Sequence, residues 1–384
     1  MTFEFSTAQR IIFGKDSRFR LRELVKPLGQ RVFLVGGSRP RASDWAVDIL
    51  AEAGMHLTRF VVDGEPDVEG IHEGIARARA AACDLVVGIG GGSVIDAAKI
   101  ISAMLTNEGE VFDYLELIGE GRPLARATAP FVALPTTAGT GAELTRNGVI
   151  GSREHGVKVS MRSSFMLPDL ALIDPVLTYS MPPAVTASTG LDALTQLIEP
   201  YLSSQANPLV DGICQEGIRR AARSLRPAFH HGDPAAREDM ALAGSFSGLA
   251  LANAKLGAVH GFAGPMGGMF PVPHGIICAR FLPGILQANL SALQARAPGS
   301  AVLERFGQVA QWLLDDPMAE AEDGIQWIRD ICGEVQVQPL KMFGIRPDHF
   351  DEIIAKARDA SSMKGNPIAL NDGELYQALE DAVG

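Results

Sequence analysis

Three side chains in the second half of the chain carry the chemistry of a metal site. Asp192 stands in Thr-Gly-Leu-Asp-Ala-Leu-Thr-Gln, His260 in Ala-Val-His-Gly-Phe, and His274 in Pro-Val-Pro-His-Gly. One carboxylate and two imidazoles can hold a divalent cation and leave positions open for a substrate oxygen. Gln196 falls four residues after Asp192, on the same helical face, where its amide oxygen is a weak fourth donor. Glycines and prolines between the two histidines rule out a single helix across them, so the rings are free to meet at one point. A plainer reading fits too: both histidines cap turns and Asp192 caps a helix. Spacing alone favours the plainer reading.

A second constellation lies in the first half: Asp84-Leu-Val-Val-Gly-Ile-Gly-Gly-Gly-Ser-Val-Ile-Asp-Ala-Ala-Lys99. Leu85 to Val87 read as a buried strand, Gly88, Gly90, Gly91 and Gly92 as a turn, and Ser93 as the opening of a helix. Glycines let backbone approach a phosphate, and the first N–H groups of a helix point at it. The spacing is neither the Rossmann fingerprint nor a P-loop. The alternative is a tight strand-to-helix turn with no ligand. Thr136-Thr-Ala-Gly-Thr-Gly-Ala-Glu143 is another small-residue loop after a strand. It suits ribose or phosphate, or simply a turn. Lys158 falls in a predicted hairpin and by itself reads as a solvated charge.

The elements that must position these residues change character along the chain. Strands are predicted at 31–35, 56–62, 84–87, 131–134 and 170–173, with helices at 42–53 and 68–82 between them. This alternation predicts a parallel sheet covered by helices, with ligands beyond the strand C-termini. Gly36-Gly37, the glycine turn and Thr136 to Gly141 all follow strand ends and should line one crevice. From about Met181 helical patterns dominate, at 184–202, 209–225, 234–253, 301–314, 350–360 and 373–383. Two domains follow: an α/β domain with a parallel sheet over 1–180 and an all-α domain over 181–384. With 384 residues and 47% hydrophobic content, both can have cores.

A net charge of −11 argues against nucleic acid or an anionic membrane as partner. Cys83, Cys214, Cys278 and Cys332 lack CxxC spacing, which suggests a reducing compartment and no cysteine zinc site. No signal peptide and no transmembrane run is read, so a cytoplasmic location is expected.

Taken together, the motifs resemble the iron-containing (group III) alcohol dehydrogenases, which belong with glycerol dehydrogenases and dehydroquinate synthases. The resemblance runs nearly end to end. It covers Phe13-Gly14, Gly90-Gly-Gly-Ser93 with Asp96 and Lys99, Pro135-Thr-Thr-Ala-Gly-Thr-Gly141, Pro168-Asp169, Asp174-Pro175, Gly190-Leu-Asp-Ala-Leu194, His260-Gly261, Pro273-His-Gly275 and Asn366-Pro367. It implies the dehydroquinate synthase-like architecture with an active site in the cleft between domains. There a divalent metal, Fe2+ or Zn2+, polarises the substrate oxygen while NAD(P)(H) exchanges a hydride with carbon. It also implies that Gly91, Gly92 and Ser93 hold the pyrophosphate, with Asp96 in the same cofactor set. Thr136, Thr137 and Thr140 would line ribose and nicotinamide, with Lys158 near a ribose. Asp192, His260 and His274 would be metal ligands at the catalytic centre, and a homodimer or higher homo-oligomer is expected.

Three departures from that pattern matter. Gln196 stands where the family usually has a metal-binding histidine, which should weaken iron or zinc binding. Gly264 stands where many members have a histidine, so a ribose hydroxyl or water would have to relay the proton. Gly37-Ser38-Arg39 lacks the aspartate that NAD-preferring members place near the adenosine ribose; this favours NADP(H) over NAD(H). The leading expectation is an NAD(P)-dependent alcohol dehydrogenase or aldehyde reductase. Alternatives are a maleylacetate-reductase-like oxo-acid reductase with little or no need for metal, a lyase of the dehydroquinate synthase type, and a binding protein without turnover. Phe262, Met266, Met269 and Phe270 are the apolar candidates for pocket walls.

Overall fold

The computed structural model describes residues 2–39 and 43–384. The chain divides into two compact units. One holds 6–137 and 141–181; the other holds 182–384 with 138–140 and the N-terminal residues up to Phe5.

The first unit is built on eight strands: β1 Ile11–Phe13, β2 Arg31–Gly37, β3 His56–Val62, β4 Leu85–Gly90, β5 Phe131–Pro135, β6 Asn147–Ser152, β7 Val157–Arg162 and β8 Leu170–Ile173. Six of them form one sheet in the order β1-β8-β5-β4-β2-β3, with every pair parallel. The other two, β6 and β7, make the antiparallel hairpin predicted around Lys158. Helices α1 Leu21–Val25, α2 Asp44–Glu52, α3 Val68–Ala80, α4 Gly92–Thr106 and α5 Val111–Tyr114 complete the unit. The predicted start of the second of these, Ala42, lies outside the described residues.

Side chains alternate across the sheet, as a strand requires. Phe33, Val35, Val86, Phe131 and Ala133 join the core under α3 and α4. Val32, Leu34, Leu85, Val87, Val132 and Leu134 join the opposite core with α1 and α2. Strands buried on both faces read as continuous apolar runs, which is why 31–35 and 85–87 were easy to recognise. The chain passes from β2 to β3 at one edge and from β4 through β5 to β8 toward the other. Between β2 and β4 the strand order therefore reverses, and in open α/β sheets ligands bind beyond the strand ends at such a point.

The second unit is helical: α6 Pro183–Leu202, α7 Pro208–His230, α8 Pro234–Asn253, α9 Ala258–Met269, α10 His274–Arg296, α11 Val302–Leu314, α12 Ala321–Glu334, α13 Phe350–Asp359 and α14 Asp372–Val383. Sequence reading leaves out α9, α10 and α12. In α9 and α10 the cause is plain: Pro265 and Pro283 lie inside the helices and glycines crowd α9. Burial overrides those weak local preferences. In α12 the signal was present, as a Glu320/Asp323 capping box and an apolar stripe of Ile325, Ile328 and Ile331. By length and composition α10 could cross a membrane, but most of it is buried against other helices of its own unit.

Candidate functional site

The glycine turn differs from its prediction in one respect. Gly88 and Gly90 are not turn residues; they are the last part of β4. A Cβ on Gly88 would stand 2.9 Å from the Ala98 Cβ, and one on Gly90 would stand 2.5 Å from the Val94 Cβ. These two glycines exist so that α4 can lie close on its own strand. Gly91 makes the turn and Gly92 opens α4. Gly91 is the N-cap of α4, in extended backbone at φ −75°, with no side-chain cap and no acidic residue in the first turn. An uncapped N-terminus leaves backbone donors and the positive end of the helix dipole for an anion. Gly37 ends β2 beside it, and a Cβ there would meet the Val94 Cγ2 at 3.8 Å. The Thr136 N–H donates to the Gly90 carbonyl at 2.9 Å. A Cβ on Gly91 would meet the Thr137 side chain at 3.3 Å. Gly37, Gly91, Thr136 and Thr137 thus cluster at the C-terminal ends of β2, β4 and β5, where the strand order reverses.

Asp96 and Lys99 face the hairpin side of α4. The Lys99 Nζ donates to Thr145 Oγ1 at 2.8 Å and to the Asn147 carbonyl at 2.9 Å. Burial pushes the Asp96 carboxyl up to about 6, against the pull of Lys99 and of the Val149 backbone. Burial pushes the Lys99 ammonium down to about 8, against the pull of Asp96 and Glu143. Lys158 on β7 pairs with Glu65 at 3.2 Å. The loop 138–140, with Thr140, groups with the helical unit. Its Gly139 carbonyl accepts from Ser247 Oγ at 2.7 Å and from the Gln196 amide nitrogen at 3.3 Å.

In the helical unit Asp192, Gln196 and Glu199 recur at spacings of four and three, so one stripe of α6 carries all three, each buried. His260 lies in the first turn of α9 and His274 is the first residue of α10. A Cβ on Gly275 would collide with the Ser188 carbonyl oxygen, so the start of α10 docks directly on the α6 backbone. That close approach sets His274 beside Asp192.

The His260 Nε2 is 3.6 Å from Asp192 Oδ1 and the His274 Nε2 is 3.8 Å from it. The rings of the two histidines stand 5.4 Å apart between centroids. Asp192 Oδ1 is buried and accepts no hydrogen bond. A carboxylate oxygen left so is costly unless a cation belongs beside it.

Two residues that sequence reasoning missed complete this cluster. Glu199 accepts from the Val259 N–H at 2.7 Å through Oε1, while its Oε2 stands 2.6 Å from the His260 Nδ1. A carboxylate can only accept here, so the Nδ1 carries a proton, and the Nε2 is the ring atom turned toward Asp192. The stripe of α6 was the available signal for Glu199. Asn366, from the Asn-Pro motif, accepts from the Ala258 N–H at 3.1 Å, so it shares with Glu199 the capping of α9. The second missed residue is Cys278, one turn after His274 on α10, with its Sγ 3.7 Å from the His260 Nε2. One ligand atom from each of Asp192, His260, His274 and Cys278 lies within 4.8 Å of all the others. The Gln196 amide nitrogen donates to the Gly139 carbonyl and, at 3.1 Å, to Ser247 Oγ, which leaves the amide oxygen as its ligand atom.

The electrostatics fit a cation. Burial alone would raise the Asp192 carboxyl, but His260 and His274 outweigh it and hold the group below the usual range. Burial alone would lower the His260 imidazole. Cys278, Asp192 and Glu199 outweigh it and raise the group well above its ordinary value. Two buried carboxylates around one imidazole are an excess of negative charge that a proton or a metal ion can neutralise. The His274 side chain is 35% exposed, so the cluster opens on that side.

Of the expected pocket walls, Phe262 and Met266 are core residues. Phe262 is fully buried and stacks on Phe281 with centroids 4.4 Å apart; Met266 is also fully buried. Met269 and Phe270 are partly exposed. At Gly264, an exposed position, a Cβ would meet nothing within 4 Å.

Comparison with known proteins identifies the family. The family model described as iron-containing alcohol dehydrogenase matches residues 8–175. The C-terminal model of the Fe-containing alcohol dehydrogenase family matches 186–383. The chain is 34% identical to a 1,3-propanediol dehydrogenase of Klebsiella pneumoniae, covering 93% of this chain and 95% of that one. A crystal structure of a 1,3-propanediol oxidoreductase superposes with a TM-score of 0.92 at 32% identity, covering 100% of both chains. The sulfoacetaldehyde reductase of Bifidobacterium kashiwanohense in complex with NAD+ superposes with a TM-score of 0.88 at 25% identity, covering 100% of this chain and 99% of that one. By its two unit folds, its motifs and these matches, the chain belongs to the iron-containing alcohol dehydrogenase family.

Proposed function

We propose that this chain transfers a hydride between NAD(P)(H) and a small alcohol, aldehyde or ketone at a divalent metal held by Asp192, His260 and His274. As a member of its family it is an NAD(P)-linked alcohol oxidoreductase. The observation that carries the metal reading is the buried, unpartnered Asp192 Oδ1 facing two imidazole nitrogens. When bound, the metal supplies Lewis acidity at the substrate oxygen and the nicotinamide supplies or accepts the hydride. Glu199 would fix the ring and tautomer of His260, and Asp192 would neutralise positive charge at the centre. His274, the half-exposed member, would border the side from which substrate enters.

For the cofactor, Gly91, Gly92 and Ser93 would bind the pyrophosphate on the α4 N-terminus, with Gly37 and Ser38 beside it. Thr136, Thr137 and Thr140 would face ribose and nicotinamide. Asp96 and Lys158 are occupied by the Val149 backbone and Glu65, so they would support this site from behind the hairpin. The domains would be 1–180 for dinucleotide and 181–384 for metal and substrate. Ser38 and Arg39 support NADP(H) over NAD(H). Arg39→Asp should reverse that preference in paired kcat/KM measurements, and an unchanged ratio would refute it.

Metal analysis of the purified protein, with turnover on an alcohol and aldehyde panel before and after chelation, tests the main reading. Loss of turnover on chelation and recovery on adding back Fe2+ or Zn2+ is expected. Full turnover without metal would favour the second reading, an oxo-acid reductase of the maleylacetate-reductase type. That reading is motivated by Gln196, whose amide nitrogen is committed to Gly139 and Ser247. Four free cysteines suit a reducing, cytoplasmic setting. A homodimer or larger homo-oligomer is the assembly to test by light scattering.

A further inference from the structure

We propose that Cys278 is the fourth protein ligand of this metal site, so that the centre is an Asp–His–His–Cys set that prefers zinc or cobalt to iron. The inference rests on the metal reading of Asp192, His260 and His274, and its test separates the two.

Helix geometry comes first. His274 opens α10 and Cys278 follows four residues later, so both project from one face of the same helix. The docking of Gly275 on the Ser188 carbonyl brings that face onto Asp192. The distances then match a coordination polyhedron. With metal–nitrogen bonds of about 2.0–2.1 Å and a metal–sulfur bond of about 2.3 Å, a near-tetrahedral shell of four protein ligands has edges of about 3.4–3.6 Å, and a substrate oxygen would enter it as a fifth ligand. Three of the six edges are 3.6 Å from the His260 Nε2 to Asp192 Oδ1, 3.8 Å from the His274 Nε2 to Asp192 Oδ1, and 3.7 Å from Cys278 Sγ to the His260 Nε2, and all six are within 4.8 Å. Asp192 Oδ1, 3% exposed as a side chain and without a hydrogen bond, points into the centre of this set.

The alternative fourth donor is Gln196. Its amide nitrogen holds the Gly139 carbonyl and Ser247, and a neutral amide oxygen is a poor ligand beside a thiolate. The other cysteines differ from Cys278. Cys332 donates to the Ala279 carbonyl at 3.4 Å, Cys214 is buried in α7, and Cys83 is half-buried in the other unit. Among the described residues, Cys278 is the one cysteine grouped with a carboxylate and imidazoles. On binding, the S–H bond breaks, the proton passes to bulk solvent and a sulfur–metal bond forms, with no change of oxidation state. A thiolate in the set shifts preference away from harder Fe2+ and Mg2+.

The test is cobalt substitution of the full-length protein. Metal-free protein loaded with Co2+ should bind one ion per chain. It should show visible ligand-field bands together with an intense near-ultraviolet thiolate-to-cobalt band. Cys278→Ser, which preserves side-chain size, should abolish the near-ultraviolet band while keeping the folded circular-dichroism spectrum. It should also weaken zinc binding at least about tenfold, the lower end of what even indirect supports of a metal site are worth. Cys332→Ser should leave the band intact. Stoichiometric cobalt with ligand-field bands but no thiolate band would overturn the role of Cys278 and leave the Asp192, His260 and His274 site standing. So would a thiolate band that survives Cys278→Ser. Failure to bind cobalt, zinc or iron at all would overturn both.

Discussion

The glycine turn of the α/β unit and the Asp192–His260–His274–Cys278 cluster of the helical unit are built in opposite ways. The turn is local. Six consecutive residues, from Gly88 to Ser93, finish a strand, make the bend and open a helix, and the binding groups are backbone N–H groups that every sequence has. The cluster is distributed. Its side chains come from α6, α9 and α10, and residues from Asp192 to Cys278 must converge before any chemistry exists. The comparison teaches that a backbone site is specified by where side chains are missing, whereas a side-chain site is specified by which helices can approach.

Asp192→Ala should abolish metal binding and reduce turnover by several orders of magnitude, yet leave NAD(P)H affinity within about twofold, because the turn shares no residue with the cluster. Metal content, turnover and cofactor fluorescence titration on the same preparation decide it. Near-wild-type turnover would remove the metal from the reaction.

Next is Glu199→Gln. It keeps shape and one acceptor but loses the charge that holds His260, and such changes weaken metal binding about 10–100-fold. Competition with a chromophoric chelator measures it; an unchanged affinity would show that Glu199 merely caps α9.

Gly90, which ends β4, and Gly91, in the turn after it, should separate packing from binding. Gly90→Ala puts a Cβ 2.5 Å from the Val94 Cβ, and should cost about 1–3 kcal/mol of stability by overpacking. Gly91→Ala meets only the Thr137 side chain, at 3.3 Å. It should cost little stability but weaken dinucleotide binding about tenfold, roughly 1.4 kcal/mol. Urea unfolding and cofactor titration of both variants give the answer. If both lose stability and neither loses affinity, the turn is only a packing device.

The smallest effect concerns Gln196→His. An added imidazole should tighten iron or zinc binding by several-fold. The gain is limited because the variant gives up the amide bonds to Gly139 and Ser247. Weaker binding would mean that holding the 138–140 loop matters more to the site than an extra donor.

The sequence by itself determined a good deal. It set the β–α alternation and, most clearly, β2, β4, β5 and β8, because strands buried on both faces must be continuous apolar runs. It also singled out the glycine turn, and, through the family resemblance rather than through spacing, Asp192, His260 and His274 as candidate metal ligands. The tertiary structure decided the rest. Helices α9 and α10 form despite Pro265 and Pro283, since burial and packing outweigh local propensity. Gly88 and Gly90 proved to be strand residues because only the packed helix α4 reveals what a Cβ would strike. Phe262 and Met266 went to the core, and Glu199 and Cys278 came to the metal cluster. The physical reason is common to all of these. Their roles depend on distances between atoms far apart in the chain, and those distances exist only after α6, α9 and α10 have packed.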